Sequence, residues 1–137
     1  MLKTDDGYFA AQLTLDGVTY KIRDLTEGER KEWKAIGRKV LDNMRAVENL
    51  SIPDEQPTDE QIDEMSALTD ALRDLRVEQV NFVVVAGLVK WSLKADLTRE
   101  NVEALAPVIK AELASRIIRE TEMSQTDADF LALQPKR

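Results

Sequence analysis

Apolar and polar positions alternate from Tyr8 to Arg23, in YFAAQLTLDGVTYKIR, and Asp16-Gly17 interrupts the alternation near its middle. The pattern predicts a β-hairpin over 8–23. A two-residue turn pairs Leu15 with Val18, Leu13 with Tyr20 and Ala11 with Ile22, so these six side chains share one face. Gln12, Thr14, Thr19, Lys21 and Arg23 take the other. Gly17 can supply the positive φ that a type I′ turn demands. An isolated hairpin is marginal in water, so its apolar face needs helices or another subunit behind it.

The period then changes to that of a helix. Thr26 and Glu29 form a capping-box pattern that opens helix 1, expected over 27–50. Trp33, Ile36, Val40, Met44 and Val47 recur at three- and four-residue steps as one stripe, with Lys34, Arg38 and Arg45 on a flank. Pro53 and Pro57 mark an acidic connector over 51–57. Thr58 with Gln61 repeats the capping box and opens helix 2, expected over 59–93. Its first stretch offers Ile62, Met65, Leu68, Leu72 and Leu75 for burial, whereas the best stripe beyond is Val77, Val80, Val84, Leu88 and Trp91. At 100° per residue the second stripe is displaced by roughly 120° from the first. Either the helix breaks near 75–77 or it continues with apolar surface nearly all round. A buried strand over VNFVVVAGLV is the competing reading, since three consecutive valines favour sheet.

Thr98 is an N-cap pattern for a short helix over 99–105, and Pro107 fits the first position of another, together spanning 99–122. Val108, Ile109, Leu113, Ile117 and Ile118 provide its apolar side. A short helix around Phe130 and Leu131 and a frayed end complete 124–137. The expected fold is therefore mainly α, a single α+β domain in which an N-terminal β-hairpin packs on a small multi-helix bundle.

Composition narrows what such a domain can do. The 137 residues, 43% apolar and 33% charged, suit one globular domain that hides roughly 68% of its unfolded surface. The chain contains neither cysteine nor histidine. Disulfides, thiolate nucleophiles, structural zinc and an imidazole base are excluded with them. The formal charge of -7 repels phosphate backbones and anionic lipid, so neither nucleic acid nor membrane is an expected partner. The polar start, Met1 to Asp6, has no secretory core, and the longest apolar run, 82–89, is far short of the roughly 20 residues that span a bilayer.

No phosphate-binding glycine loop and no G-x-S-x-G elbow occurs. Asp59, Glu60, Asp63 and Glu64 crowd one helical turn, where a solvated first turn opposite the helix dipole explains them better than a cation does. Lys110, Arg116 and Arg119 on 99–122 could suggest a helix-turn-helix reader, but an ordinary basic helix edge suits the acidic chain better. Trp33 and Trp91 lie on apolar stripes, as core anchors do. No catalytic residue, cofactor or metal is expected, and the chain reads as no enzyme. The surplus of apolar surface suggests interaction with other chains. Phe82, Val84, Leu88 and Trp91 are the candidates for a partner helix, and Leu13, Leu15, Val18 and Tyr20 for self-association. Charge is polarised along the chain, with no basic residue between Arg45 and Arg73. Acidic helix 2 could pair with a basic helix 1 of a neighbouring copy or of its own chain.

Two stretches resemble the tail assembly chaperones of long-tailed, siphovirus-type bacteriophages. One is LTLDGVTYKIRDLTEGER, a hairpin leading through D-L-T into a helix. The other is GLVKWSLKADLTRENVEALAPVIKAELASRII, marked by Trp91-Ser92, Leu97-Thr98, Asn101-Val102 and Leu105 before Pro107. The resemblance covers about 50 of the 137 residues. It implies a non-catalytic, mostly helical oligomer of the host cytoplasm that coats the helical tape-measure protein, helps recruit tail-tube protein during virion morphogenesis, and is absent from the mature virion. The alternative within the same setting is a structural head-tail connector or tail completion protein retained in the particle.

Overall fold

In the computed structural model, residues 2–4, 7–9, 11–50 and 57–133 are described, with side-chain surroundings given for 11–50 and 57–124. Strands β1 (Leu2–Thr4) and β2 (Gly7–Phe9) form a small antiparallel pair. Strands β3 (Ala11–Leu15) and β4 (Val18–Ile22) form the expected hairpin, with Leu15 opposite Val18, Leu13 opposite Tyr20 and Ala11 opposite Ile22. Both turn residues have positive φ, 51° at Asp16 and 76° at Gly17, which is the type I′ geometry. The alternation thus fixes both the register and the face that turns inward.

A third strand, β5 (Leu88–Trp91), pairs antiparallel with β4 and gives the sheet order β3-β4-β5. Trp91 stands opposite Tyr20 and Leu88 opposite Ile22, so four residues of β5 are matched by three of β4 and Val89 is left over as a bulge. The bulge is what lets Leu88 and Trp91, an odd number of residues apart, both face the core. Ser92 extends the edge by donating its N–H to the Thr19 carbonyl at 3.0 Å, and its Oγ accepts from the Thr19 N–H at 2.9 Å.

The helices are α1 (Glu27–Asn49), α2 (Asp59–Gly87), α3 (Arg99–Glu103) and α4 (Pro107–Leu133). The chain is mainly helical with an N-terminal hairpin, as its patterning predicts. Both capping boxes form. The Thr26 N–H donates to Glu29 Oε1 and the Glu29 N–H to Thr26 Oγ1, and Thr58 and Gln61 repeat the exchange. Thr98 caps α3 through the Asn101 N–H, and Pro107 is the first residue of α4.

Two expectations need correction. Helix α2 does not break near 75–77, and it does not reach 93. It ends at Gly87, where β4 provides a free edge for Leu88–Trp91 and the Gly87 carbonyl accepts the Arg23 N–H at 2.8 Å. Helix α4 continues through 124 to Leu133 rather than giving way to a separate short helix. The chain divides into two units, one of Met1–Glu29 with Val80–Arg137 and one of Arg30–Gln79. Most of the connector expected at 51–57, the end at 134–137 and the side chains of Phe130 and Leu131 lie outside the described residues.

The first unit holds the main core. Ile22, Val84, Leu113 and Ile117 are fully enclosed, and Val83, Leu25, Val102 and Ala114 join them. Each enclosed Val, Leu or Ile contributes on the order of 2 kcal/mol by leaving water. Gly87 brings α2 against α4, since a Cβ placed there would lie 2.6 Å from two carbons of Ile117. The second unit is an antiparallel helical hairpin. Its pairing is shown by Gly37 against Gln79 and by the Arg76 guanidinium on Met44 Sδ at 3.9 Å.

Candidate interaction surface

The residues expected to receive a partner helix are mostly core. Val84 is 0% exposed, Leu88 7% and Trp91 8%, while Phe82 is half-buried. The apparent stripe from Val77 to Trp91 crosses the junction of α2 and β5, so it is no single helical face. Val77, at its start, is 49% exposed. Trp91 is further anchored by its indole N–H, which donates to the Ala95 carbonyl at 2.8 Å. Of the residues proposed for self-association, Tyr20 is 2% exposed and Leu13, Leu15 and Val18 are half-buried. Burial, and then the charge of Asp16, raise the Tyr20 phenol above its usual pKa.

Polar groups in the first unit are tied into its framework. The Lys110 ammonium, 8% exposed, donates to Asn81 Oδ1 and to the Glu103 carbonyl, both at 2.9 Å, and so joins α2, α3 and α4. It is therefore unavailable as a reader of nucleic acid. Arg116 pairs with Glu120 at 2.9 Å. Thr121 Oγ1 accepts the Leu25 N–H and donates to the Ile117 carbonyl, which docks the start of α1 on α4. Arg23 holds Glu29 through both guanidinium nitrogens at 2.9 Å. Burial alone would raise the Glu29 pKa. The Arg23 bonds and charge and the Thr26 N–H outweigh it and hold the carboxyl below its ordinary value. Among the described residues no three acidic side chains gather in a metal-holding group, and no helix is long and apolar enough to cross a membrane. A shallow hollow on the sheet is lined by Thr19, Lys21, Lys90, Trp91 and Ser92, with Thr19 and Ser92 already bonded to each other.

The second unit is different in kind. On α1 the enclosed or half-buried positions Trp33, Gly37, Val40, Met44 and Val47 step by four and three, with Ile36 and Asn43 half-buried beside them, and on α2 Gln61, Met65, Leu68, Leu72, Leu75 and Gln79 do the same. This is a heptad seam in which Trp33, Val40 and Val47 occupy d positions on α1, and Gln61, Leu68 and Leu75 on α2. Only Val40 is buried by this pairing, and the seam's other large apolar side chains stay half-buried. Leu41 (54% exposed) and Ile62 (51%) lie beside the seam. Helices α1 and α2 thus pair within one chain. No family model, curated protein or solved structure matches the sequence. The candidate surface is therefore defined by its own geometry, and it is the helical hairpin 30–79 rather than the hairpin-to-Trp91 region that patterning favours. The signal that could have found it is the strict alternation of three- and four-residue steps, which begins on α1 and resumes on α2.

Proposed function

We propose that the chain is a non-catalytic assembly chaperone whose client is a long apolar helix, of the kind presented by a phage tape-measure protein. The observation that carries this reading is the helical hairpin 30–79, in which two amphipathic helices enclose one side chain between them and leave Leu41 and Ile62, beside the seam, about half exposed. A third helix laid along the seam would complete the burial that two helices begin, the helix-in-groove mode of recognition. Met44 and Leu72 would gain most, being large, half-buried and central to the seam. The resemblance of the segments around Asp16-Gly17 and Trp91-Ser92 to tail assembly chaperones supports the same reading and adds its setting. In that setting the protein works in the host cytoplasm, helps recruit tail-tube protein and is left out of the mature virion.

Light scattering coupled to size-exclusion chromatography, with and without a co-expressed tape-measure fragment from the same genome, tests it. Co-elution with the fragment, lost on replacing Leu72 by Ser with the helical circular dichroism intact, is the expected result. A chain that ignores the fragment would sink the client reading. Abundant peptides of this chain in purified particles would favour a retained connector instead.

A further inference from the structure

Helix α2 ends at Gly87 without the local features that usually stop a helix. Its last turn holds no basic residue, only Asp16 and Gly17 have positive φ among the described residues, and no proline follows before Pro107. The chain passes from Gly87 in the helix to Leu88 in β5 with no turn residue between them. The sequence reads on as helix. Val80, Val84, Leu88 and Trp91 keep steps of four and three, and the run from Leu88 to Ala95 is rich in leucine, lysine and alanine, all good helix formers. What stops α2 is therefore the edge of β4, through the Arg23 N–H on the Gly87 carbonyl and the Ser92 N–H on the Thr19 carbonyl. Strand β5 fits that edge poorly. It is four residues long and outermost in the sheet, it carries the bulge at Val89, and it sets Lys90 opposite Lys21, like charges directly across an antiparallel pair. The β3–β4 pair has neither a bulge nor opposed like charges.

We infer that 88–91 is a conformational switch: in a minor state β5 leaves β4 and joins α2 as one further helical turn. The strand form dominates because it encloses Leu88 and Trp91 and ties the Trp91 indole N–H to the Ala95 carbonyl. The helical form has compensations that keep it within reach. Backbone amides of 88–91 then bond the last carbonyls of α2, which otherwise lack intrahelical partners. The bulge disappears, and Lys90 no longer stands opposite Lys21. A second conformation of this kind is populated at about 0.1–10%. The consequence lies in β4. The backbone groups of Thr19 and Arg23 that bond Ser92 and Gly87 in the strand form become a free edge in the helical form. The sheet thus has a strand-pairing edge that is covered in one state and open in the other. The switch lies within the first unit and does not rest on the client reading.

The test is chemical-exchange saturation-transfer NMR on the intact protein labelled with carbon-13 and nitrogen-15, which detects minor states that exchange in milliseconds. Exchange is expected at 88–92 and at the β4 residues that face them, with the minor-state Cα shifts of Leu88 to Trp91 displaced towards helical values. Leu13 and Leu15, in the β3–β4 pair, should show none. Two variants at exposed positions push in opposite directions. Ser92→Ala removes the Oγ that accepts the Thr19 N–H and improves helix propensity, so it should raise the minor population at least about threefold. Lys90→Thr removes the like charge opposite Lys21 and favours strand, so it should lower that population at least about threefold. Should Ser92→Ala unfold the protein, Lys90→Thr decides alone. A chain without exchange at 88–91 would overturn the inference. So would a minor state with random-coil shifts there, which is fraying rather than switching, or a population that Lys90→Thr leaves unchanged or raises. An absent switch in a protein that still binds a tape-measure fragment would remove this inference and leave the proposed function standing.

Discussion

Replacing Gly87 by Ala adds one methyl group at the point where α2 ends and β5 begins, and the structure says what it meets. The new Cβ would lie 2.6 Å from Ile117 Cδ1, 2.6 Å from Cγ2 and 2.9 Å from Cγ1. Carbon atoms in contact prefer about 3.5–4.0 Å, so the neighbour must move by about an ångström. Ile117 is 0% exposed and cannot swing into solvent. Gly87 is not among the positive-φ residues, so alanine adds no backbone strain there. Its better helix propensity would offset at most about 1 kcal/mol, and less at a terminal position. Overpacking of this kind costs about 1–3 kcal/mol, and the expected net loss is about 2 kcal/mol. Ile117→Ala alone should cost about 2–5 kcal/mol through its cavity. In the double variant the added methyl occupies part of that cavity, and the two losses should fall short of their sum by about 1 kcal/mol or more. Urea unfolding measures this cleanly because the tryptophans are divided, with Trp33 in the hairpin 30–79 and Trp91 in the other unit. A Trp33→Phe background lets Trp91 fluorescence report on its own unit. Additive losses, or a Gly87→Ala protein within about 0.5 kcal/mol of wild type, would refute the claimed contact.

Other outcomes follow from equally local features. Gly17→Ala forces a side chain onto a φ of 76° and should cost about 1 kcal/mol in thermal or urea unfolding, whereas Asp16→Asn should be neutral or stabilising. Glu29 has its pKa lowered in the fold, so its stabilisation is complete above the unfolded-state value and is lost as pH falls through the folded one. Unfolding midpoints followed from pH 7 down to about 3 should drop less steeply in Glu29→Gln than in wild type, and equal slopes would contradict the assignment. Lys110→Met leaves Asn81 Oδ1 and the Glu103 carbonyl without their donor and should destabilise by about 2 kcal/mol, part of it recovered by adding Asn81→Leu.

The parts of the fold that were legible in the sequence are those governed by neighbours a few residues apart. The β3–β4 register follows from alternation around a turn whose two residues both accept positive φ, and the starts of α1 and α2 from threonines three residues before Glu29 and Gln61. Strand β5 was illegible for a definite reason. Leu88 and Trp91 are three residues apart, the spacing of a helical face, and the bulge at Val89 produces that spacing inside a strand. With Val80 and Val84 preceding at helical intervals, the pattern continues smoothly across a change of structure. The edge of β4, which decides the outcome, lies more than 60 residues away in sequence.

The charge-separated hairpin shows the same boundary from the other side. The heptad steps on α1 and α2 are present in the sequence, and so is the acidic run from Glu48 to Asp70. Read along the chain, that run suggests one basic and one acidic helix, which would neutralise each other when paired. Paired antiparallel, they do something else. Arg73 and Arg76 of the acidic helix fall on the side of Arg38 and Arg45, while Lys39 is left almost alone opposite Glu64 and Asp74. Pairing therefore sorts the charges by face rather than cancelling them. The sorting depends on which residues share the seam, where Gly37 lies against the Gln79 amide. A slip of one residue along either helix would rotate its charges by 100° and blend the two faces.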